Sequence, residues 1–226
     1  MYKVSPSGIG SLLECPRCLW LYANESVARP RGIFPSLPGG MDELFKNYFD
    51  KYRQDGKLPP EIEGKIDAKL FGDLAKLKPW REIDFGRGGF GAEFPKLNIK
   101  LRGAIDELLV NKKGEFIAFD FKTRGYPTKE DTHKHYQHQL DLYALLFEEN
   151  GHKAAEDGYL LFFWPTDYKN KIAKFKTELV KLSVSAKGGM KILEEVNAIV
   201  SGEIPKSHEK CEYCFYYSAY KDSFED

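Results

Sequence analysis

Two carboxylates and one ammonium stand close together in the middle of the chain, at Asp106, Asp120 and Lys122. Asp120 and Lys122 interrupt the segment FIAFDFK (116–122), which is otherwise apolar on both faces and typical of a buried strand. Because side chains alternate along a strand, both charges should point to one face, about 7 Å apart. A buried charge is costly unless it is paired or bound to a metal, so another group on that face must compensate for them.

Asp106 is the first candidate for that partner. It lies late in a predicted strand, 99–110, and the turn signal at 111–114 predicts a hairpin that places this strand beside 116–122. Two close carboxylates repel each other, and Mg²⁺, which commonly takes one or two carboxylates plus water and phosphate oxygens, relieves that repulsion. A lysine beside the ion can orient or deprotonate a water, or neutralise phosphate charge. An ion pair of Asp120 with Lys122, with Asp106 as a turn residue, is the alternative that needs no metal.

A helix should follow these strands, because apolar residues recur at helical spacing from Tyr136 to Phe147. We expect it to begin at Thr128 or Thr132, since Thr128 and Asp131 approximate a capping box. Gln139 lies at the edge of the apolar stripe and is an i,i+4 neighbour of Tyr143. The alternative is an ordinary core helix whose glutamine is satisfied locally.

Together, the patterns Gly103-x-x-Asp106, Asp120-x-Lys122 and Gln139-x-x-x-Tyr143 resemble the PD-(D/E)xK nuclease superfamily, specifically its RecB-like branch. That branch includes nucleases of bacterial recombination complexes and CRISPR-adaptation exonucleases. Ile105 stands where the superfamily name has proline. The resemblance implies an α/β fold with a restriction-endonuclease-like core, in which a central mixed sheet is flanked by helices in the order α-β-β-β-α-β.

The resemblance also implies an activity, that of a Mg²⁺- or Mn²⁺-dependent deoxyribonuclease hydrolysing phosphodiester bonds. Its substrate would be single-stranded DNA or DNA ends, cut as an exonuclease in repair, recombination or CRISPR adaptation. Asp106 and Asp120, with the Phe121 backbone carbonyl, would bind the ion, and Lys122 would position the attacking water. Gln139 and Tyr143 would hold DNA or brace Lys122. The alternative is a non-cleaving DNA- or partner-binding subunit of a repair or adaptation complex that uses the same fold.

A further metal ligand is predicted on an earlier helix, 41–53, whose apolar residues have helical spacing. In the RecB-like branch this helix often bears a metal-binding histidine, which this segment lacks. Asp42 occupies the nearest position and is our candidate. An acidic residue favoured by the helix dipole in the first turn is an equally good interpretation.

The four cysteines form two C-x2-C pairs near opposite ends of the chain: Cys15, Cys18, Cys211 and Cys214. In a cytosolic protein such pairs favour a metal over disulfides, and both tetrahedral zinc and an iron–sulfur cluster use four thiolates. Four unrelated buried thiols are the remaining alternative. The resemblance implies a [4Fe–4S] cluster, although related nucleases supply one N-terminal and three C-terminal cysteines. This chain has two cysteines near each end, so structural Zn²⁺ remains an alternative. Either metal would join segment 11–20 to segment 205–220.

Composition describes a soluble globular chain of 226 residues, with 42% hydrophobic and 30% charged side chains. We expect one nuclease domain over 1–226, with its core at about 40–185. No apolar segment suits a signal or a membrane span, so we expect a cytoplasmic protein with no membrane contact. With 34 basic and 34 acidic residues, any affinity for DNA must come from a local basic stripe.

Overall fold

The computed structural model describes residues 1–30, 32, 36–84 and 87–222, apart from the side chains at 11, 12, 84 and 220–222. Its strands are β1 (Tyr2–Val4), β2 (Ala68–Leu70), β3 (Ile83–Asp84), β4 (Arg87–Gly88), β5 (Phe90–Phe94), β6 (Ile99–Gly103), β7 (Glu107–Asn111), β8 (Phe116–Thr123), β9 (Asp157–Lys169) and β10 (Ile172–Ser183). Its helices are α1 (Pro6–Leu13), α2 (Pro16–Glu25), α3 (Ser36–Gln54), α4 (Leu74–Arg81), α5 (Gln137–Glu149), α6 (Ala186–Ser201) and α7 (Glu212–Asp222).

A five-stranded mixed sheet forms the centre of the fold, in the order β10-β9-β8-β7-β2. β8 and β9 are parallel and are connected through α5, whereas the other neighbours in this sheet are antiparallel. A smaller sheet has the order β1-β6-β5, and β3 pairs with β4. The predicted α/β fold, with a mixed central sheet between helices, is confirmed.

The two faces of β8 belong to different hydrophobic clusters. Phe116 and Ala118 pack with the apolar residues of α5 and α6, whereas Ile117, Phe119 and Phe121 pack with α3. Because side chains alternate along the strand, the face that bears Phe116 and Ala118 also bears Asp120 and Lys122. Both charges are therefore held on the α5 side of the sheet, as the alternation predicted.

The strand predicted over 99–110 is in fact two strands, β6 and β7, which belong to different sheets. Between the two strands, the backbone forms hydrogen bonds to groups outside the sheets. The Ile105 N–H donates to the Trp80 carbonyl at 3.1 Å, and the Tyr143 hydroxyl donates to the Ala104 carbonyl at 2.6 Å. At Gly103 a Cβ atom would come within 2.8 Å of the Pro6 ring, so a larger residue does not fit. Asp106 consequently lies in a fixed connection just before β7, rather than inside a strand.

A buried network of charged side chains fastens α3 and α4 to the start of β7. Glu107, which is completely buried, accepts both of its Arg53 hydrogen bonds within 2.7 Å and one from Arg81 at 2.6 Å. Asp50 accepts from Arg81 at 2.9 Å and from Arg53 at 3.1 Å. Each buried charge has at least two partners, which is the condition under which buried ions are tolerated.

The helix that carries Gln139 begins later than we predicted. Thr132 opens a 3-10 helix, Thr132–Tyr136, and the α-helix itself starts at Gln137. The Thr132 hydroxyl accepts the Lys129 N–H at 2.8 Å, so it closes the preceding turn instead of capping an α-helix.

Within the described residues, no helix has both the length and the apolar character needed to cross a membrane.

Candidate active site

Asp120, Lys122 and Gln139 form one hydrogen-bonded group between β8 and α5. Asp120 is 1% exposed, and its carboxylate forms an ion pair with the Lys122 ammonium. Gln139 bridges the two, since its Nε2 donates to Asp120 Oδ1 at 2.8 Å and its Oε1 accepts from Lys122 Nζ at 2.9 Å. The glutamine therefore fixes both charged side chains relative to each other.

Two tyrosines support this group. Tyr143 is buried; its hydroxyl accepts from Gln139 Nε2 at 3.3 Å and donates to the Ala104 carbonyl in the connection that carries Asp106. Lys122 Nζ lies 4.5 Å from the centre of the Tyr136 ring, a cation–π contact. Because Gln139 and Tyr143 are only 5% and 4% exposed, their positions favour bracing over contact with DNA.

Asp106 lies beside this group, at the same end of β8. Its Oδ2 accepts the Phe121 backbone N–H at 3.1 Å, so the carboxylate lies at the end of the strand that carries Asp120. Its Oδ1 lies 3.3 Å from Lys46 Nζ, and Lys46 in turn lies 2.6 Å from Asp42 Oδ2. The structure thus brings Asp42, Asp106 and Asp120 to one end of the sheet.

Burial and nearby charges shift the pKa values of Asp106 and Lys122. Burial, followed by the charge of Asp120, raises the pKa of Asp106 to about 6, against the opposing effect of Lys46 and Lys122. Burial alone would lower the pKa of Lys122, but the charge of Asp120, its hydrogen bond to the lysine and the charge of Asp106 together outweigh burial, and the pKa is raised. Lys122 is therefore an ammonium at neutral pH, a proton donor and positive charge rather than a base.

This set of groups fits a hard divalent cation. Asp120 Oδ2 is buried and accepts no hydrogen bond with acceptable geometry, although it lies in ion-pair contact with Lys122. Two carboxylates held close together at one end of the sheet are the kind of oxygen donors that Mg²⁺ and Mn²⁺ take in proteins. Of the other predicted ligands, Phe121 contributes its N–H to Asp106 and Asp42 is bound to Lys46, so their roles toward a metal remain predictions.

Lys46 is a member of this site that we did not predict. The pairing with Asp42 at i,i+4 is visible in the sequence, but such pairs are common on exposed helix surfaces. Its second partner, Asp106, is 60 positions away, and only the folded chain brings the two together.

The four cysteines form a second site, away from the sheet. Cys15, Cys18 and Cys211 are buried and Cys214 is partly buried, and all four thiols are free. Their sulfur atoms lie within 4.8 Å of one another, so the N- and C-terminal pairs make one potential metal-binding group. The predicted union of the two pairs is confirmed.

Comparison with known proteins gives the following matches. A family model for the PD-(D/E)XK nuclease superfamily matches residues 38–219, a range that includes every candidate active-site residue and the C-terminal cysteine pair. No curated protein matches the chain. Among solved structures, the crystal structure of SSO0001 is similar at 17% identity and a TM-score of 0.47, covering 96% of this chain and 84% of that chain.

Proposed function

Because the chain belongs to the PD-(D/E)XK nuclease superfamily, we propose that it hydrolyses phosphodiester bonds in DNA with Mg²⁺ or Mn²⁺ held by Asp106 and Asp120. The observation that carries the proposal is the buried Asp120 carboxylate, paired with Lys122, beside a second carboxylate, Asp106, whose pKa is raised by burial and by the charge of Asp120. Two acids that repel each other in a fixed site gain stability from a shared cation.

The residues have distinct roles in this mechanism. A divalent ion held by Asp106 and Asp120 would supply Lewis acidity for water activation and would offset phosphate charge. The Lys122 ammonium would donate to the attacking water or to a non-bridging phosphate oxygen, stabilising charge that develops in the transition state. Gln139 holds Asp120 and Lys122 in register, and Tyr143 braces Gln139 and the connection before Asp106. The Phe121 carbonyl and Asp42 complete the proposed ligand set.

Single-stranded DNA or DNA ends, cut exonucleolytically during repair, recombination or CRISPR adaptation, are the substrates that the RecB-like resemblance favours. The competing function is a subunit that grips DNA or a partner protein without cutting it. The pairing of Asp106, Asp120 and Lys122 in one site supports cleavage, because a non-cutting protein has no need of this arrangement. Incubation of labelled single- and double-stranded DNA with and without Mn²⁺ tests the proposal. Metal-dependent products support it, and binding without products at any tested ion favours the subunit.

Replacement of Lys122 by alanine should lower turnover far more than DNA binding. Removal of one donor from a preorganised transition-state site typically lowers kcat by about 10²–10³-fold, whereas the metal and other groups still hold DNA. Single-turnover cleavage at saturating DNA measures the first effect, and fluorescence anisotropy measures the second. A large loss of affinity with unchanged turnover would instead make Lys122 a phosphate-binding residue.

A two-stranded arm offers the local basic surface that the neutral net charge requires. β8 ends at Thr123, opposite Phe163, and beyond this point β9 pairs with β10 up to a turn at Asn170 and Lys171, both at positive φ. From Phe163 to Lys169 the arm extends about 20 Å. Residues 165–176 are exposed among the side chains that the structure describes.

The arm lysines lie on the same face of the sheet as the catalytic group. Lys176 pairs with Trp164, which packs in the α5 cluster, so side-chain alternation places Lys174 on that face as well. Alternation along β10 also places Ile172 on that face, and Lys169 lies there because it pairs with Ile172. We propose that these three lysines contact DNA phosphates, and that the arm guides the strand toward Asp120.

The triple variant Lys169→Gln, Lys174→Gln and Lys176→Gln should bind DNA more weakly and with a smaller dependence on salt. Each lost phosphate contact should reduce the slope of log affinity against log salt by about 1. Turnover at saturating DNA should be nearly unchanged, since the arm holds DNA outside the reacting group.

The matched control makes the same charge change at the opposite end of the sheet, where each lysine is exposed and paired with a carboxylate, as Lys174 is with Asp167: Lys112→Gln, Lys153→Gln and Lys181→Gln. Equal losses in the two triple variants would show that only net charge matters and would remove the arm from the proposal.

A further inference from the structure

We propose that the four cysteines hold one tetrahedral zinc ion instead of the iron–sulfur cluster that the family resemblance implies. The site lies apart from the carboxylates, so the inference does not depend on nuclease activity. It rests on the spacing of the sulfur atoms, on the way the two pairs are presented and on the volume between them.

The spacing of the sulfur atoms is that of ligands to a single ion. Cys18 Sγ lies 3.6 Å from Cys211 Sγ and 3.7 Å from Cys214 Sγ, and Cys15 Sγ lies 3.9 Å from Cys214 Sγ. Four sulfurs at about 2.3 Å from a central zinc, arranged as a tetrahedron, are about 3.8 Å from one another. The observed distances match this value and are far longer than a disulfide bond of about 2.05 Å.

A [4Fe–4S] cluster does not fit the same space. Each of its cysteines binds a different iron at a corner of the cube, so the thiolate sulfurs stand roughly 6 Å or more apart. Here all four sulfurs lie within 4.8 Å of one another, and three of the cysteines are at most 7% exposed. No room remains between them for four irons and four sulfides without moving both chain ends outward. A two-iron cluster meets the same difficulty, because its cysteines divide between two irons.

The backbone presents the two pairs symmetrically. Cys15 directly precedes α2 and Cys18 lies in its first turn, while Cys211 and Cys214 have the same relation to α7. The N-terminal turn of a helix has free N–H groups and the positive end of the helix dipole, both of which favour thiolates. In addition, the His208 backbone N–H donates to Cys15 Sγ at 3.3 Å. Four thiolates and one divalent ion leave a charge of −2, which the guanidinium charge of Arg29 near Cys18 partly offsets.

Zinc is favoured over a single iron for chemical reasons. Sites of thiolate and imidazole ligands bind Zn²⁺ more tightly than Fe²⁺ in the general order of divalent-metal affinities. Four protein ligands with no open position are also the arrangement of structural zinc sites. The ion would link the start of α2 to the start of α7, so it would stabilise the folded chain without taking part in hydrolysis.

The test is the metal content and spectrum of the full chain, expressed in medium containing both iron and zinc and purified without oxygen. The inference predicts about one zinc per chain, no visible colour, and zinc-edge X-ray absorption from four sulfurs at about 2.3 Å. About four irons per chain with a brown colour would overturn it in favour of the cluster. One iron per chain, or a metal-free folded protein, would also overturn it.

Two variants and a control locate the ion. Cys15→Ser and Cys214→Ser should each lose most of the zinc, whichever pair is changed, because both pairs are needed for four-coordination. His208→Ala is the matched control: four thiolates complete the coordination without the imidazole, whose Nδ1 accepts the Lys210 N–H at 3.1 Å. If the serine variants do not fold, the zinc content and X-ray absorption of the unaltered protein still decide the question. Zinc retained in both folded serine variants, or lost in His208→Ala, would overturn the assignment.

Discussion

Asp120→Asn should abolish DNA cleavage while largely preserving the fold. The amide has the shape of the carboxylate and can still accept from Gln139, so that contact between β8 and α5 survives although the ion pair with Lys122 is lost. It cannot supply the anionic oxygen that a divalent ion requires, and it also removes the repulsion from Asp106. Loss of several kcal/mol of transition-state stabilisation corresponds to a rate reduction of about 1,000-fold or more. Single-turnover cleavage of labelled DNA in the presence of Mn²⁺ measures this reduction in rate.

A carboxylate-to-amide change on the neighbouring strand is the control. Asp157 lies at the start of β9, in an ion pair with Lys181 at 2.7 Å, at the end of the sheet away from the proposed metal. Asp157→Asn should cleave at nearly the rate of the unaltered protein. Full activity in Asp120→Asn at every metal concentration would remove Asp120 from the mechanism.

The second large effect is structural. Glu107→Gln should lower the free energy of unfolding by about 3–5 kcal/mol, the usual loss when one partner of a buried ion network is neutralised. The glutamine leaves Arg53 and Arg81, both buried, with Asp50 as their remaining negative partner. That loss is a large share of the total stability of a typical domain, about 5–15 kcal/mol. Urea denaturation followed by circular dichroism measures the change.

An exposed glutamate gives the comparison. Glu93 pairs with Lys100 on the surface at 2.6 Å, and Glu93→Gln should leave the unfolding midpoint unchanged, because surface ion pairs add little to stability. If the two variants unfold at the same urea concentration, the buried network does not stabilise the attachment of α3 and α4 to β7.

Much of the fold and of the candidate site could be predicted from the sequence, because those features depend on local patterns. Alternation along 116–122 correctly placed Asp120 and Lys122 on one face of the sheet. The stripe in 136–147 placed Gln139 on a helix that packs on that face. The two C-x2-C pairs predicted one shared site, and the thiols do lie together.

Features that depend on distant contacts escaped prediction. Lys46 appeared to be half of a helical surface pair until folding brought it to Asp106. The sequence around Glu107 indicates only a strand, because its partners Arg53 and Arg81 lie on separate helices. The break between β6 and β7 has a similar cause: 99–110 has strand composition throughout, but Tyr143 and Trp80 bind the backbone at its middle.

The position of a bound Mn²⁺ ion tests the central claim most directly. Crystals of the protein grown with Mn²⁺, measured at the manganese absorption edge, locate the ion by its anomalous scattering. We predict one peak within coordination distance, about 2.0–2.3 Å, of carboxylate oxygens from both Asp106 and Asp120, and its disappearance in crystals of Asp120→Asn. A well-occupied Mn²⁺ elsewhere, with none between these two carboxylates, would contradict the account.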